Sequence, residues 1–375
     1  MHRRIKLFEP VIDDDDIEAV VRILRSKWIA HGSEVELFEK EFAEYIGVSY
    51  SAAVANGTIA LMLALRALGI GQGDEVLVPD YTFIATATAV LMVGAIPRFV
   101  DVSYETFNID INDIQEKITN RTKAIIAVHL FGHPADVKAL MDVAQDKKIL
   151  LIEDAAQAHG AEAWGQKVGS FGNAAIFSFY ATKNMTTGEG GIVVSNDKNI
   201  VEKVKLLRNH GQISRYVHVE LGGNYRMTSI QAALGRAQLR KLDKLNDIRR
   251  NNAWRLTVQL SHLKEYVELP YEIPWAKHVY HIYAVKIKRI EYRECLQKCL
   301  DNNGIESAIH YPLPLHLQPL FQSLGYSECC KTALKLSKCE LSLPIHPNLD
   351  SDDIVYIGKV FSNCIMNCYG MEEKV

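Results

Sequence analysis

The first 294 residues of this 375-residue chain contain no cysteine, and all seven cysteines lie between Cys295 and Cys368. An odd number crowded into the last quarter does not read as a disulfide framework. The pairs Cys295/Cys299 and Cys364/Cys368 have the spacing of one helix face and sit among leucines and isoleucines. They are therefore expected as small core residues. No clustered histidines accompany them at zinc spacing, so no metal site is expected. Long apolar runs are also missing. The longest nearly apolar stretch, residues 85 to 96, carries two threonines and a glycine and falls short of the ~18 residues a membrane span requires. The basic start MHRRIKLFEP runs into DDDD at 13 to 16 instead of an apolar segment, so no export signal is expected and the chain is placed in the cytoplasm. Charge of one sign is scarce too. A formal charge of -3 gives no long-range attraction to nucleic acid or to acidic membranes.

What is present is an ordinary globular composition, 48% apolar and 23% charged, at a length suited to two or three domains. From about residue 50 to 210 short apolar runs alternate with helical patterns, the signature of an α/β domain. Strands are predicted at 75–79, 124–130, 149–154, 175–180 and 191–196. Several are apolar on both faces, as strands covered by helices on both sides must be. Helices are predicted at 58–68 and 135–145. Ser33 with Glu36 three residues later suggests a capping box ahead of a first helix. After a charge-rich helix near 228–250 the pattern changes to isolated strands and helices, with a last helix from about 351. This predicts a large α/β domain over 1–245 and a smaller α+β domain over 246–375.

One stretch stands out. Residues 177–191 read FSFYATKNMTTGEGG, a lysine between an aromatic run and small, flexible residues. Phe177, Phe179 and Tyr180 suggest a strand entering the interior, so Lys183 is a candidate buried amine able to form a Schiff base, set against a plain surface lysine at a strand end. The usual carbonyl partner would be pyridoxal phosphate, which needs an acid at its ring nitrogen and a phosphate cradle. Asp154 ends a predicted strand, where it either faces a cofactor crevice or caps the next segment. NGT at 56–58 opens a helix, so the amides of Gly57 and Thr58 can bind an anion, or form a simple turn. The Ser178 hydroxyl could add a phosphate contact. Phe83 could stack on a flat cofactor or fill a core. GIGQGDE at 69–75 follows a helix and precedes a strand, the wrong order for a dinucleotide fingerprint. HLFGH at 129–133 is interrupted by Gly132 and reads as a strand-end loop.

EDAAQAHGA at 153–161, FSFYATKNMTTGEGG at 177–191 and GGNYRMTSIQAALGRAQL at 222–239, with NGTIALMLAL, PDYTFIATA, HLFGHPAD and HYPLPLHLQP around them, closely resemble the DegT-type sugar-nucleotide aminotransferases. The resemblance covers nearly the whole chain. It implies the fold of type I pyridoxal phosphate-dependent transferases, an α/β large domain with a mostly parallel seven-stranded sheet flanked by helices. It makes Lys183 the lysine that holds the cofactor and Asp154 the pyridinium partner. Gln157 would sit against the cofactor ring or its phenolic oxygen, Phe83 would stack, and Gly57, Thr58 and Ser178 would hold the phosphate. Asn224 matches an asparagine that reaches the cofactor phosphate of the neighbouring subunit, implying a homodimer with shared sites. Tyr311 and His316 fall in a segment that borders the sugar-nucleotide pocket.

The implied reaction is a ping-pong transfer, from an amino acid donor, glutamate, to a nucleotide-linked keto sugar, with pyridoxamine phosphate as the intermediate cofactor form. TTGEGG and NYRMTSIQAALG look most like perosamine-type members acting on 4-keto-6-deoxy sugars. Transfer to a 3-keto sugar or a cyclitol is an alternative. Sugar dehydration resembles relatives with histidine at the lysine position, and a non-catalytic regulatory protein would be expected to lose Lys183, Asp154 or Asn224.

Overall fold

The computed structural model describes residues 4–327 and 329–370. Seven short strands form the main sheet: β1 (Tyr50–Val54), β2 (Glu75–Pro79), β3 (Ile96–Val100), β4 (Thr122–Val128), β5 (Leu150–Asp154), β6 (Ala174–Ser178) and β7 (Gly191–Ser195). Their order is β1-β7-β6-β5-β4-β2-β3. β2, β3, β4, β5 and β6 pair in parallel, while β7 runs antiparallel to both its neighbours. The alternation of strand side chains separates two apolar layers: Val76, Val78, Ile126 and Ile152 pack on one face, Leu77, Ile125 and Leu151 on the other. A sheet covered on both faces needs such strands, which is why β2, β6 and β7 are buried throughout.

The parallel pairs require crossovers, and helices supply several of them. α1 (Asp14–Ser26) and α2 (Ser33–Ile46) precede the sheet, α3 (Gly57–Ala67) follows β1, α4 (Ala85–Met92) follows β2, α5 (Val137–Lys147) links β4 to β5 and α6 (Lys198–Arg208) follows β7. The capping box expected at Ser33/Glu36 is absent. Ser33 is the first helical residue, Gly32 holds the cap position and no side chain bonds there. A reciprocal box forms instead one helix earlier, where Asp13 accepts from the Asp16 amide and Asp16 from the Asp13 amide. The acidic run thus starts α1, where carboxylates oppose the positive helix end.

The long α7 (Ser229–Leu260) leaves the first core and enters a second. Ala253, Leu256 and Leu260 pack there with β8 (Val267–Glu268), β9 (Tyr283–Ile287), β10 (Glu340–Leu343), α8 (Arg293–Asn302) and α10 (Ser351–Tyr369). Between β9 and β10 the chain also forms α9 (Lys331–Cys339). Ile5, from the chain start, packs into the same second core and pairs with Ile305.

The cysteines correct the sequence expectation. Cys295 is bonded to Cys368 and Cys299 to Cys364. The four-residue spacing puts both sulfurs of α8 on one stripe and both of α10 on another, and the helices face each other in opposite register, so the pairs meet in order. Cys330 and Cys339 are buried thiols and Cys329 is exposed. Among the described residues, no helix is long and apolar enough to cross a membrane.

Candidate active site

The aromatic run ends β6 and delivers the lysine. Phe177 and Phe179 are fully buried, while Tyr180 and Lys183 turn to a cavity of about 690 Å³. The turn is built locally. The Lys183 amide donates to the Tyr180 carbonyl (2.9 Å), the Thr187 amide donates to the Phe179 carbonyl (2.9 Å) and the Phe179 amide donates to Gly190 (2.8 Å). Gly188 takes φ 79°, a left-handed conformation that costs glycine nothing.

Lys183, Asp154, Gly57, Thr58, Phe83, Gln157, Ser178 and Tyr311 all line this one cavity, although they come from five separated segments. Asp154 is at the carboxyl end of β5. Its carboxylate accepts from the Thr86 hydroxyl (3.0 Å) and from the Ala156 amide (3.2 Å). Burial raises its pKa above the usual carboxylate range, opposed by those two donors and by the charge of Lys183. Burial also lowers the Lys183 amine to about 8, with Asp154 pulling the other way. The amine is therefore still mostly protonated near neutral pH, but a far larger share of it is neutral than for an ordinary lysine, as a nucleophile for carbonyls requires.

At the other end of the cavity, Asn56 caps α3 by accepting from the Ile59 amide (2.9 Å), which leaves the Gly57 and Thr58 amides at the helix mouth without intrahelical acceptors. Ser178 closes on them: a Cβ added to Gly57 would lie 2.7 Å from the Ser178 Cβ and 3.1 Å from its Oγ. Only glycine admits this approach. Phe83 is 54% exposed, and its ring centre lies 6.0 Å from that of Tyr311. It is a face presented to the cavity, so the core-filling alternative does not apply. Gln157 is fixed on both sides, accepting from the Phe131 amide (2.7 Å) and donating to the Tyr311 hydroxyl (3.1 Å).

Two residues are placed elsewhere. His316 is fully buried and away from the cavity lining, bonded through Nδ1 to Asp80 at 2.5 Å. Asn224 is exposed and pairs with Asn209 in an isolated bridge. Near it, the 212–221 segment leaves Ile213, Tyr216, Val217, Val219 and Leu221 exposed.

Sequence reasoning missed Thr86, Phe8, His281 and His310, which also line the cavity. Burial, followed by the positive charge of Lys183, pushes His310 down to about 4 and His281 well below its ordinary value. Both are neutral and leave the lysine as the cavity's titrating base. Thr86 could have been sought one helical turn beyond Thr82 in PDYTFIATA; Phe8 and His281 carry no local signal.

A family model for the DegT/DnrJ/EryC1/StrS aminotransferases matches residues 10–362. The chain belongs to that family. It is an enzyme of the pyridoxal phosphate-dependent sugar aminotransferase class, with the α/β fold of that class. The aminotransferase is 42% identical over 348 residues to the UDP-N-acetyl-3-dehydro-alpha-D-glucosamine 3-aminotransferase of Acidithiobacillus ferrooxidans, covering 92% of this chain and 93% of the relative. It is 40% identical over 356 residues to the GDP-perosamine synthase of Caulobacter vibrioides, covering 94% and 95%. Among solved structures, S. venezuelae DesV in complex with a ketimine intermediate superposes with a TM-score of 0.89 at 37% identity, covering 93% of this chain and 94% of that one.

Proposed function

We propose that this aminotransferase moves an amino group from an amino acid, glutamate, to a 4-keto-6-deoxy sugar carried on a nucleoside diphosphate. The observation that carries the reading is the meeting, in one cavity, of a depressed lysine, a buried strand-end carboxylate and a helix mouth closed by a serine. These residues fit pyridoxal phosphate. A carboxylate buried at Asp154 is costly without a cation to face it, and a protonated ring nitrogen would be that cation. The Gly57 and Thr58 amides with the Ser178 hydroxyl suit a phosphate, and the exposed Phe83 ring suits a flat heterocycle.

When bound, the cofactor supplies an electron sink for charge at the donor's α-carbon and carries the nitrogen between the two half-reactions. The chain's own residues do the rest. Lys183 would hold the cofactor through Nζ and, as a free amine, would take and return the proton at the substrate carbon. Asp154, fixed by Thr86 and the Ala156 amide, keeps the ring nitrogen protonated. Gln157 would sit against the cofactor ring, and Tyr311, bonded to it, would border the sugar-nucleotide pocket. In this reading the larger domain carries the cofactor, and the second core, which Ile5 from the chain start joins, belongs to the smaller lobe. Asn224 completes the site of a second subunit, and its exposure beside an apolar hairpin supports a homodimer.

The 4-keto assignment follows the likeness to perosamine synthase. The likeness to a 3-aminotransferase favours a 3-keto sugar as the second reading. Protein loaded with the pyridoxamine form, mixed with a panel of nucleotide-linked 3-keto and 4-keto sugars, decides between them: return of the aldehyde spectrum with a 4-keto-6-deoxy sugar supports the proposal, and return with a 3-keto sugar alone overturns it.

A further inference from the structure

Behind the cavity wall, four side chains with metal-binding atoms converge: Asp80, His316, Cys329 and Cys330, with one donor atom from each lying within 4.8 Å of all the others. We propose that this cluster binds one thiophilic divalent cation of the zinc class, a site separate from the transfer chemistry. Two sulfurs, an imidazole nitrogen and a carboxylate oxygen are the donors from which tetrahedral zinc sites are made; magnesium and calcium favour all-oxygen shells.

The cluster is built from three distant pieces of chain and is rigid on two of its sides. Asp80 directly follows β2. Its amide donates to the Val100 carbonyl, and its own carbonyl accepts from the Leu315 amide (2.8 Å). One Asp80 oxygen accepts from the His316 amide (2.9 Å) and the other meets His316 Nδ1 (2.5 Å). On the third side, Cys330 occupies the position just before α9, whose first turn is tied down by the Thr332 and Ala333 amides donating to Asp101 (2.9 Å each). Asp80, His316 and Cys330 are buried, while Cys329 is exposed and gives the ion a way in.

The two sulfurs stand 2.7 Å apart. Zinc–sulfur bonds of ~2.3 Å at a tetrahedral angle would spread them to about 3.8 Å, a movement the exposed Cys329 can supply. Binding forms two metal–sulfur bonds and releases two thiol protons to solvent, with no change of oxidation state. Two thiolates and one carboxylate then face a dication, so the site carries a single negative charge. The bound ion would pin α9 and the 310–319 segment, which carries Tyr311, to the end of β2, four residues before Phe83.

The test uses the purified, cofactor-loaded full chain. After incubation with zinc sulfate and gel filtration, elemental analysis should find one zinc per chain, and cobalt(II) chloride should produce a sulfur-to-cobalt charge-transfer band with intense tetrahedral visible absorption. Cys329→Ser removes an exposed side chain and should fold normally, yet lose zinc affinity by about a hundredfold or more; Cys330→Ser should abolish the cobalt band. Zinc should also shield these two thiols from a thiol reagent while Cys339 responds as before. The proposal is overturned if no zinc is retained, if Cys329→Ser retains it unchanged, if zinc is lost only on replacing Cys295, Cys299, Cys364 and Cys368, or if the native mass shows Cys329 and Cys330 joined as a disulfide.

Discussion

Removing the two bridges between α8 and α10 tests how the second core is held. Cys295–Cys368 closes a separation of 73 residues and Cys299–Cys364 one of 65. The loop-entropy relation assigns about 4 kcal/mol to the first bridge closed over such a length. The second is different, because once one bridge exists the other closes only the small ring of one turn of each helix. At about ten residues, that ring is worth roughly 3 kcal/mol by the same relation. Replacing either pair by alanine should therefore cost about 3 kcal/mol, and replacing both about 7 kcal/mol. The loss adds to the small cavities left by atoms already packed beside Leu296, Leu300, Phe361 and Ile365. Equilibrium urea unfolding of the two single-pair variants and the four-alanine variant reads these differences directly. The reasoning is refuted if the four-alanine protein is no less stable than either single-pair variant. It is refuted equally if denatured, unreduced wild-type protein titrates seven thiols instead of three.

Further predictions concern the cavity. Lys183 is lowered to about 8 by burial, so it is protonated and inert below that pH and neutral above it. The rate at which cofactor-free protein captures pyridoxal phosphate should rise to a plateau with a midpoint near 8, and a midpoint near the ~10.4 of an ordinary lysine would contradict the burial argument. Asp154→Asn keeps the Thr86 and Ala156 contacts sterically but removes the negative charge; turnover should fall on the order of a hundredfold or more while some cofactor is retained, and wild-type kinetics would remove Asp154 from its role. Mixing Asn224→Ala subunits with Lys183→Ala subunits should restore part of the activity if sites are completed across a dimer, and no recovery would favour self-contained sites.

Much of the site could be read in advance because its parts are local. A lysine after an aromatic strand, an aspartate ending an apolar strand and NGT at a helix start each carry their own chemical signature, and the α/β alternation brings strand ends together at one edge of a sheet. The unread parts depend on distant segments. Thr86 matters because it reaches Asp154, 68 residues away, and His316 is turned from the cavity by Asp80, 236 residues earlier. The cysteine spacing is visible in the sequence, but pairing requires the two helices to face each other, which no single segment states. β3 carries little sequence signal because Pro97 and Arg98 interrupt its apolar run, although pairing with β2 settles it as a strand. The Ser33 cap failed for a related reason: the helix begins one residue earlier than its polar pattern suggests.

The central claim is that the ε-nitrogen of Lys183 is the atom that holds the cofactor. Borohydride reduction of the native, cofactor-loaded protein followed by proteolysis and mass mapping should place a single pyridoxyl label on the peptide spanning 177–191, at Lys183. A label on any other lysine, or no label in protein that turns over, would contradict the account.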